Sequence, residues 1–411
     1  MTVVRNQRKP ERREVRSIVA VFAGALTLVS CGARSEPAAL EDSEPSIPLP
    51  TDARGARLAL GDAHTCVLRS GAVHCWGENR RGELGDGSRA PHLVPVPVLG
   101  LPRVVDLASG GAFDIDPAAP RGAHTCAVTV TGNVLCWGAN VLGGSLSLAS
   151  PGEIAGTGPA ALVSAGMFHT CFVRTDGHVA CWGLNSEGQL GDGTTLDRAS
   201  PAVVNKLRDA VQISVNRYHG CARTRSGRLF CWGGNELGQV GDGTTTDHFE
   251  PVELAELPGI IDVAAGLGTT CAVAASGAVY CWGLNNAGQL GDGTKVSRLR
   301  PAPTVGIVDA IQVSVGSTYA CALRHSGQVV CWGVAPHAIA RSGEALLADS
   351  SIPVVVPDLP RVVEIRVGPS GHTCAVTSTE QVYCMGRNDA GQIGDGSREA
   401  RVLPTLALLG G

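Results

Sequence analysis

The sequence predicts an all-β protein built from seven repeats of about fifty residues. Fourteen of the fifteen cysteines fall into seven local pairs, whose first members are 60, 45, 50, 50, 50 and 53 residues apart. All six tryptophans directly follow the second cysteine of a pair, and Met385 takes that position in the seventh unit. Turn-forming residues, mostly with a glycine, separate the two cysteines of each pair. A period near fifty residues is typical of propellers and solenoids.

Composition and charge exclude several other classes of protein. With 17% charged residues, 4% aromatic residues and 54 glycines, the chain resembles neither an acidic disordered protein nor a coiled coil. From Cys31 onward it carries 27 Lys and Arg against 35 Asp and Glu, a net charge of −8. We therefore expect no broad positive surface and no nucleic-acid partner.

The first thirty residues have the pattern of a signal peptide. A basic segment precedes an apolar run over residues 17–30, which is too short to span a bilayer comfortably. The run ends Leu-Val-Ser before Cys31, which resembles the lipobox of bacterial lipoproteins. The resemblance implies that residues 1–30 are removed and that Cys31 carries a diacylglycerol; an ordinary secretory signal is the alternative. Gly32 follows the cysteine, and this residue favours transport of the lipoprotein to the outer membrane over retention in the inner membrane. Residues 31–55 are expected to comprise the lipidated cysteine and a flexible tether.

The two cysteines of each pair are expected to face each other across a β-hairpin. A two-residue turn at Ser70-Gly71 places Cys66 opposite Cys75, and the next five pairs enclose three-residue loops that end in glycine. Directly opposed residues lie within the range that a disulfide tolerates, and an exported chain meets an oxidising environment. Buried free thiols are the alternative, and zinc ligation is less favoured. The predicted disulfides are Cys66–Cys75, Cys126–Cys136, Cys171–Cys181, Cys221–Cys231, Cys271–Cys281, Cys321–Cys331 and Cys374–Cys384.

Aligning the units on their cysteines gives a detailed motif. Residues 171–194 read CFVRTDGHVACWGLNSEGQLGDGT and residues 271–294 read CAVAASGAVYCWGLNNAGQLGDGT. The pattern resembles the repeat of the regulator of chromosome condensation family, whose members fold as seven-bladed β-propellers. The resemblance implies a propeller over residues 56–411. The second and sixth units lose the Gly-Asp-Gly turn, so their outer loops are expected to differ, and Glu380 replaces the turn glycine of the seventh hairpin.

Other polar residues recur once per unit. We expect the aspartates of the Gly-Asp-Gly turns to bond their own turns rather than calcium, and the asparagines to serve turns in the same way. The histidines that precede the first cysteines are expected to lie between blades, with a backbone hydrogen-bond partner. One histidine per blade is too sparse to share a metal ion. These residues are Asp86, Asp192, Asp242, Asp292 and Asp395; Asn79, Asn140, Asn185, Asn235, Asn285 and Asn388; and His64, His124, His169, His219 and His372.

No catalytic motif stands out from the repeat. The sequence has no phosphate-binding loop before a helix, no zinc-protease helix and no nucleophile elbow. We therefore predict no enzymatic activity and no cofactor, and favour a monomeric, tethered binding or scaffold protein for an unidentified protein partner. The family resemblance implies two alternatives: an inhibitor like the secreted bacterial propellers that cap β-lactamases, and nucleotide exchange on a small GTPase. Export disfavours the exchange activity.

A partner-binding face is predicted from four aromatic residues. Each lies in a short variable segment before the first cysteine of a different unit, and equivalent loops of a propeller emerge on one face. With neighbouring charged residues they are expected to form an interface, because exposed aromatics and arginine are common energetic anchors. The alternative is that the rings fold inward and plug the central channel. The predicted face comprises Phe113, Asp114, Asp116, Phe168, Arg217, Tyr218 and Tyr319.

Overall fold

A computed structural model describes residues 57–111, 123–139, 147–334 and 350–409. The described residues form 28 strands in seven four-stranded antiparallel sheets, and each sheet uses four strands that are consecutive in the chain. This arrangement confirms the predicted seven-bladed β-propeller. In this part of the chain no helix is long and apolar enough to cross a membrane. The predicted signal peptide, Cys31 and the tether lie outside the described residues.

The first three blades cover the chain from β1 to β12. Blade 1 contains β1 (Arg57–Leu60), β2 (His64–Arg69), β3 (Ala72–Gly77) and β4 (His92–Pro97). Blade 2 contains β5 (Val104–Gly110), β6 (His124–Thr129), β7 (Val134–Ala139) and β8 (Ser147–Glu153). Blade 3 contains β9 (Ala160–Ala165), β10 (His169–Arg174), β11 (Val179–Gly183) and β12 (Arg198–Val203).

The remaining four blades follow in chain order. Blade 4 contains β13 (Ala210–Val215), β14 (His219–Thr224), β15 (Leu229–Gly233) and β16 (His248–Glu253). Blade 5 contains β17 (Ile260–Ala265), β18 (Thr269–Ala274), β19 (Val279–Gly283) and β20 (Arg298–Pro303). Blade 6 contains β21 (Ala310–Val315), β22 (Tyr319–Arg324), β23 (Val329–Gly333) and β24 (Ser350–Val355). Blade 7 contains β25 (Val362–Val367), β26 (His372–Thr377), β27 (Val382–Gly386) and β28 (Arg401–Leu406).

The second and third strands of every blade carry a disulfide between directly opposed cysteines. Cys66 pairs with Cys75 in the strand register, and the six other pairs are opposed in the same way. All seven predicted disulfides are present, with Cα atoms 4.0 or 4.1 Å apart. The seventh hairpin keeps the geometry of the others, because Glu380 takes a left-handed conformation with φ of 60°. Glycine adopts that conformation without the strain that a glutamate incurs.

The Gly-Asp-Gly loops are held by their own asparagine and aspartate. In blade 5 the amide of Asn285 donates to Asp292 and to two loop carbonyls, and its carbonyl oxygen accepts the N–H of Leu290. Asp292 accepts the N–H and hydroxyl of Thr294. The same pattern holds around Asn79, Asn185, Asn235 and Asn388. The predicted turn roles are confirmed for these residues; Asn140, like the irregular loops of blades 2 and 6, lies outside the described residues.

Each of these loops also reaches the outer strand of the next blade. The second glycine of the motif donates its N–H to that strand, as in Gly193 to the carbonyl of Phe249 at 2.9 Å. The first glycine must be free of a side chain, since a Cβ on Gly191 would lie 2.9 Å from the indole nitrogen of Trp232. Because Gly191 also has φ of 67°, both space and backbone conformation require glycine there.

The ring closes by contact between blades 1 and 7, and these blades exchange no strand. The contacts repeat those at the other junctions: the N–H of Gly396 donates to the carbonyl of Leu93 at 3.0 Å, and Trp76 packs into a buried cluster with Val376 and Ile393. This junction therefore has the same type of contact as the junctions that follow blades 1, 3, 4 and 5.

Candidate functional site

Four of the seven junctions between blades contain a hydrogen bond between a histidine of one blade and a threonine of the next. Burial lowers the pKa of these histidines to about 3 or 4, so the imidazoles are neutral. The predicted location between blades is confirmed, but the predicted backbone partner is wrong, because a threonine hydroxyl takes its place. The pairs are His64–Thr125 at 2.9 Å, His124–Thr170 and His219–Thr270 at 2.8 Å, and His372–Thr65 at 3.0 Å.

The recurrent tryptophan forms a second hydrogen bond between neighbouring blades. Its buried indole N–H donates to a backbone carbonyl in the loop of the preceding blade, as in Trp282 to Gln239 at 2.9 Å. The hydroxyl of Thr270 donates to the same carbonyl at 2.8 Å. A buried indole needs such an acceptor, which explains why tryptophan recurs at one position of the repeat. Equivalent bonds run from Trp76, Trp137, Trp232 and Trp332.

The junction between blades 3 and 4 has the histidine but not this bond. His169 of blade 3 faces Gly220 of blade 4, which stands where the other histidines meet a threonine. Both ring nitrogens of His169 are buried without a hydrogen-bond partner in the described structure. Burial, together with His219 and His124, lowers the pKa of His169 to about 3. A buried imidazole without a hydrogen-bond partner is destabilising. A hydroxyl placed opposite His169 should therefore stabilise this junction.

Gly220→Thr should therefore raise the free energy of unfolding above that of Gly220→Val by about 1–2 kcal/mol. Threonine and valine have the same shape, so the difference isolates the hydroxyl that His169 lacks. The added side chain needs a small shift, because a Cβ on Gly220 would lie 3.0 Å from Val215. Blade 7 carries a threonine, Thr373, at the equivalent position, where it pairs with Val367 in the strand register. The fold therefore accommodates a threonine there. Denaturant unfolding of both variants measures the difference, and equal stabilities would contradict this view of the junction.

The candidate partner surface is the loop face, which carries the turns between the first and second strands and the loops between the third and fourth strands. In blades 4 and 5 these are the turns 216–218 and 266–268 and the loops 234–247 and 284–297. The guanidinium of Arg217 lies 4.6 Å from the ring centre of Tyr218, and both side chains are half-buried. Leu237, in the loop between the third and fourth strands of the same blade, is 40% exposed and lies close to Gly268 of blade 5.

Two of the predicted aromatic anchors are buried. Tyr319 is 3% exposed, and its hydroxyl bonds Thr373 at 2.8 Å and the carbonyl of His372. It fills the histidine position of blade 6, so its expected exposure on a partner face is wrong. Phe168 is 8% exposed and is likewise unavailable as a free anchor. Neither ring lines the central channel, and the predicted residues Phe113, Asp114 and Asp116 lie outside the described residues.

The first strands of the blades surround a central channel of about 870 Å³. Their free edges expose N–H groups, which polar side chains of the preceding blade accept. Asp262 accepts the N–H of Val313 at 2.7 Å, and Ser214 accepts the N–H of Ala265 at 2.9 Å. Asp106, Ser164, Gln312, Ser314 and Glu364 make the same kind of bond. Most polar residues of the channel therefore have a structural role.

The geometry does not assemble an identifiable catalytic or metal centre from the described residues. Within those ranges no group of three or more His, Cys, Asp or Glu side chains is placed to hold a metal ion. What the described ring offers chemically is a rigid scaffold with a varied loop face and a polar channel.

The comparisons with known families agree with this architecture. Residues 17–305 match the family model of the RCC1-like domain, and residues 362–392 match that of the regulator of chromosome condensation (RCC1) repeat. The chain belongs to the RCC1-like domain family. The predicted family resemblance is thereby confirmed.

Relatives among curated proteins match only short segments of this RCC1-like chain. The human E3 ubiquitin-protein ligase HERC2 is 35% identical over 79 residues, which is 19% of this chain and 1% of HERC2. Human RCC1 domain-containing protein 1 is 32% identical over 97 residues, which is 23% of each chain. The matches thus span less than a quarter of either relative.

Solved structures show the same fold over most of the RCC1-like chain. Human WBSCR16 superposes with a TM-score of 0.72 at 21% identity, covering 82% of this chain and 95% of WBSCR16. Prp20p of Saccharomyces cerevisiae gives a TM-score of 0.70 at 19% identity, covering 86% and 87%. At these identities the likeness establishes the fold alone.

Proposed function

We propose that this protein is an exported RCC1-like propeller, tethered to the bacterial cell envelope through lipid on Cys31, that acts as a non-enzymatic binding module for a protein partner. The observation that carries the proposal is the buried disulfide in each of the seven blades. Structural disulfides persist in oxidising compartments and are rare in the cytosol. They support the export expected from residues 1–31.

Protein binding is supported by what similar propellers do. Yeast Prp20p has binding properties toward Gsp1p and histones, and yeast RCC1 has been solved bound to Kap60. For this chain we propose a partner outside the cytoplasm, so nucleotide exchange on an intracellular GTPase is not proposed. The proposed contact surface is the sector of the loop face formed by Arg217, Tyr218 and Leu237.

This sector combines the features of an interface anchor. The stacked pair of Arg217 and Tyr218 provides a preorganised aromatic and cationic group, and tyrosine and arginine are enriched among residues that dominate binding energy. Leu237 adds an exposed apolar side chain on the same face of blade 4. The hydrogen bonds of Asn235 hold the loop that carries Leu237.

Photo-crosslinking in the cell envelope tests the partner surface. With p-benzoylphenylalanine in place of Tyr218, we expect one discrete protein adduct, and Arg217→Ala should reduce it. The matched control places the same amino acid at Ser276, an exposed turn residue at the opposite face of the ring. No adduct from position 218, or equal adducts from both positions, would refute the proposed surface.

The tether is tested independently. Cys31→Ala should leave an uncleaved precursor that lacks the diacylglycerol mass, as measured by intact-protein mass spectrometry. A normal unlipidated protein whose N-terminus lies elsewhere would reject Cys31 as the anchor.

A further inference from the structure

Two arginines break the repeat pattern inside the central channel. Arg223 lines the channel from β14, at a position where every other blade has a buried leucine or valine. Arg366 lines it from β25, where every other blade has alanine or serine. The equivalent residues are Leu68, Val128, Val173, Val273, Leu323 and Val376 for Arg223, and Ala59, Ala108, Ser164, Ser214, Ala264 and Ser314 for Arg366.

The fold itself does not require these charges. Six blades build the same strand with an aliphatic residue at the position of Arg223, and placing a guanidinium there incurs a desolvation cost. The nitrogen Nε of Arg223 donates to Gln212 at 3.1 Å, and Gln212 donates to Asp262 at 2.6 Å. The terminal nitrogens of Arg223 have no hydrogen-bond partner among the described residues, which leaves their donors open to the channel.

The two guanidinium groups share an electrostatic environment. Burial raises the pKa of Asp262, and the charges of Arg366 and Arg223 both oppose this rise. Both arginines therefore act on the same carboxyl group. Arg366 contacts Glu364 at 3.2 Å and is 38% exposed, so part of its donor set also faces the channel.

The channel carboxylates are already engaged. Asp106, Asp262 and Glu364 accept N–H groups of the next blade, as described above. Their negative charge disfavours a ligand with several negative charges. The open arginine donors match the geometry of a carboxylate, which a guanidinium can bind through two parallel hydrogen bonds.

An apolar rim lines the same channel on blades 4 to 7. Val211, Ile261, Ile311 and Val363 line the channel in blades 4 to 7, and the last three are 39%, 43% and 48% exposed. Side chains of this type cover the hydrocarbon part of small ligands, and a volume near 870 Å³ accommodates one.

We propose that the channel binds a small amphipathic monocarboxylic acid, whose carboxylate is held by Arg223 and Arg366 and whose hydrocarbon part lies against Val211, Ile261, Ile311 and Val363. The site is separate from the loop face. A small-molecule ligand could thus occupy the ring while a protein partner is bound.

Isothermal titration calorimetry of the full mature chain with octanoate tests this site. Arg223→Leu and Arg366→Ser introduce residues that sister blades carry, so both variants should fold as the wild type does. Each should weaken octanoate binding at least tenfold. Arg300→Leu is the matched control, because Arg300 is 59% exposed, pairs with Glu256 and does not line the channel. This variant should bind octanoate as the wild type does.

Two further probes separate charge from apolar contact. Octylamine has the same chain with the opposite charge, and acetate has the same head without the chain; both should bind at least tenfold more weakly than octanoate. The proposal is overturned if octanoate does not bind the wild type, if either probe matches it, or if the two arginine variants keep wild-type affinity. None of these outcomes bears on the crosslinking result at Tyr218, so failure here is distinguishable from failure of the proposed function.

Discussion

Glu83→Gln should stabilise the protein by about 3 kcal/mol at pH 8 and have almost no effect at pH 4. Glu83 is 4% exposed and occupies the loop position that holds glutamine in four other blades. In those blades the glutamine side chain accepts a loop N–H at 2.9 Å, and Glu83 accepts the N–H of Arg81 at the same distance. Glutamine can replace Glu83 without losing this bond.

The pH dependence follows from the direction of the shift. Burial raises the pKa of Glu83 from its ordinary value of 4.5 to about 7. The folded protein therefore holds this proton more tightly than the unfolded chain does. The contribution of Glu83 to stability is fully present below pH 4.5 and is lost as the pH rises through about 7. Glutamine cannot ionise and escapes the loss.

Denaturant unfolding between pH 4 and pH 8 measures the effect. The reciprocal variant Gln239→Glu is the matched control, since it places a glutamate in the same loop position of blade 4. It should lower stability at pH 8 and show little change at pH 4. The raised pKa of Glu83 would be contradicted if the wild type and Glu83→Gln differed in free energy of unfolding by the same amount at every pH in this range.

Removing the disulfide of one blade should lower the free energy of unfolding of the propeller by about 3 kcal/mol. In the chain-entropy model, a cross-link that closes about eleven residues contributes about 3 kcal/mol. The double variant Cys271→Ala with Cys281→Ala tests this in blade 5, where both cysteines are buried and joined to each other within one hairpin. Cys281 also accepts the hydroxyl of Thr304 at 3.4 Å. Its unfolding midpoint in denaturant should fall well below that of the wild type.

Reduction provides the control for this experiment. Reductant should lower the midpoint of the wild type by more than that of the double variant, because the wild type has one more cross-link to lose. An unchanged midpoint for the variant would show that the disulfide adds nothing to stability. Alkylatable thiols in the native exported protein would show that the cross-links are not formed.

The repeat made the hairpins and disulfides predictable. Within one unit, Cys271 and Cys281 are only ten residues apart, so counting outward from the turn at Gly277 fixes their register. The same holds for Asp292, whose partners Thr294 and Arg298 lie in the same blade. When both partners belong to one repeat unit, their spacing in the sequence is enough to predict their contact.

Contacts between units were not predictable in this way. The hydroxyl that meets His219 belongs to Thr270, about fifty residues further along the chain, and local counting does not reveal how blades face each other. Tyr319 shows the consequence: it lies in the histidine column of the aligned repeats, a sign of burial, yet aromatic clustering suggested exposure. Arg223 and Arg366 could not be predicted from the residues that recur in the repeat, because neither recurs in another blade. Their departure from the repeat is what makes them informative.

We propose that this RCC1-like ring works outside the cytoplasm as a cross-linked, lipid-tethered scaffold. Non-reducing peptide mapping of the protein purified from the bacterial envelope tests this proposal. We predict a mature N-terminus at Cys31 with diacylglycerol attached, and seven disulfides that each join two cysteines of one blade. An unlipidated chain that starts elsewhere, cross-links between different blades, or fourteen free thiols would contradict the claim.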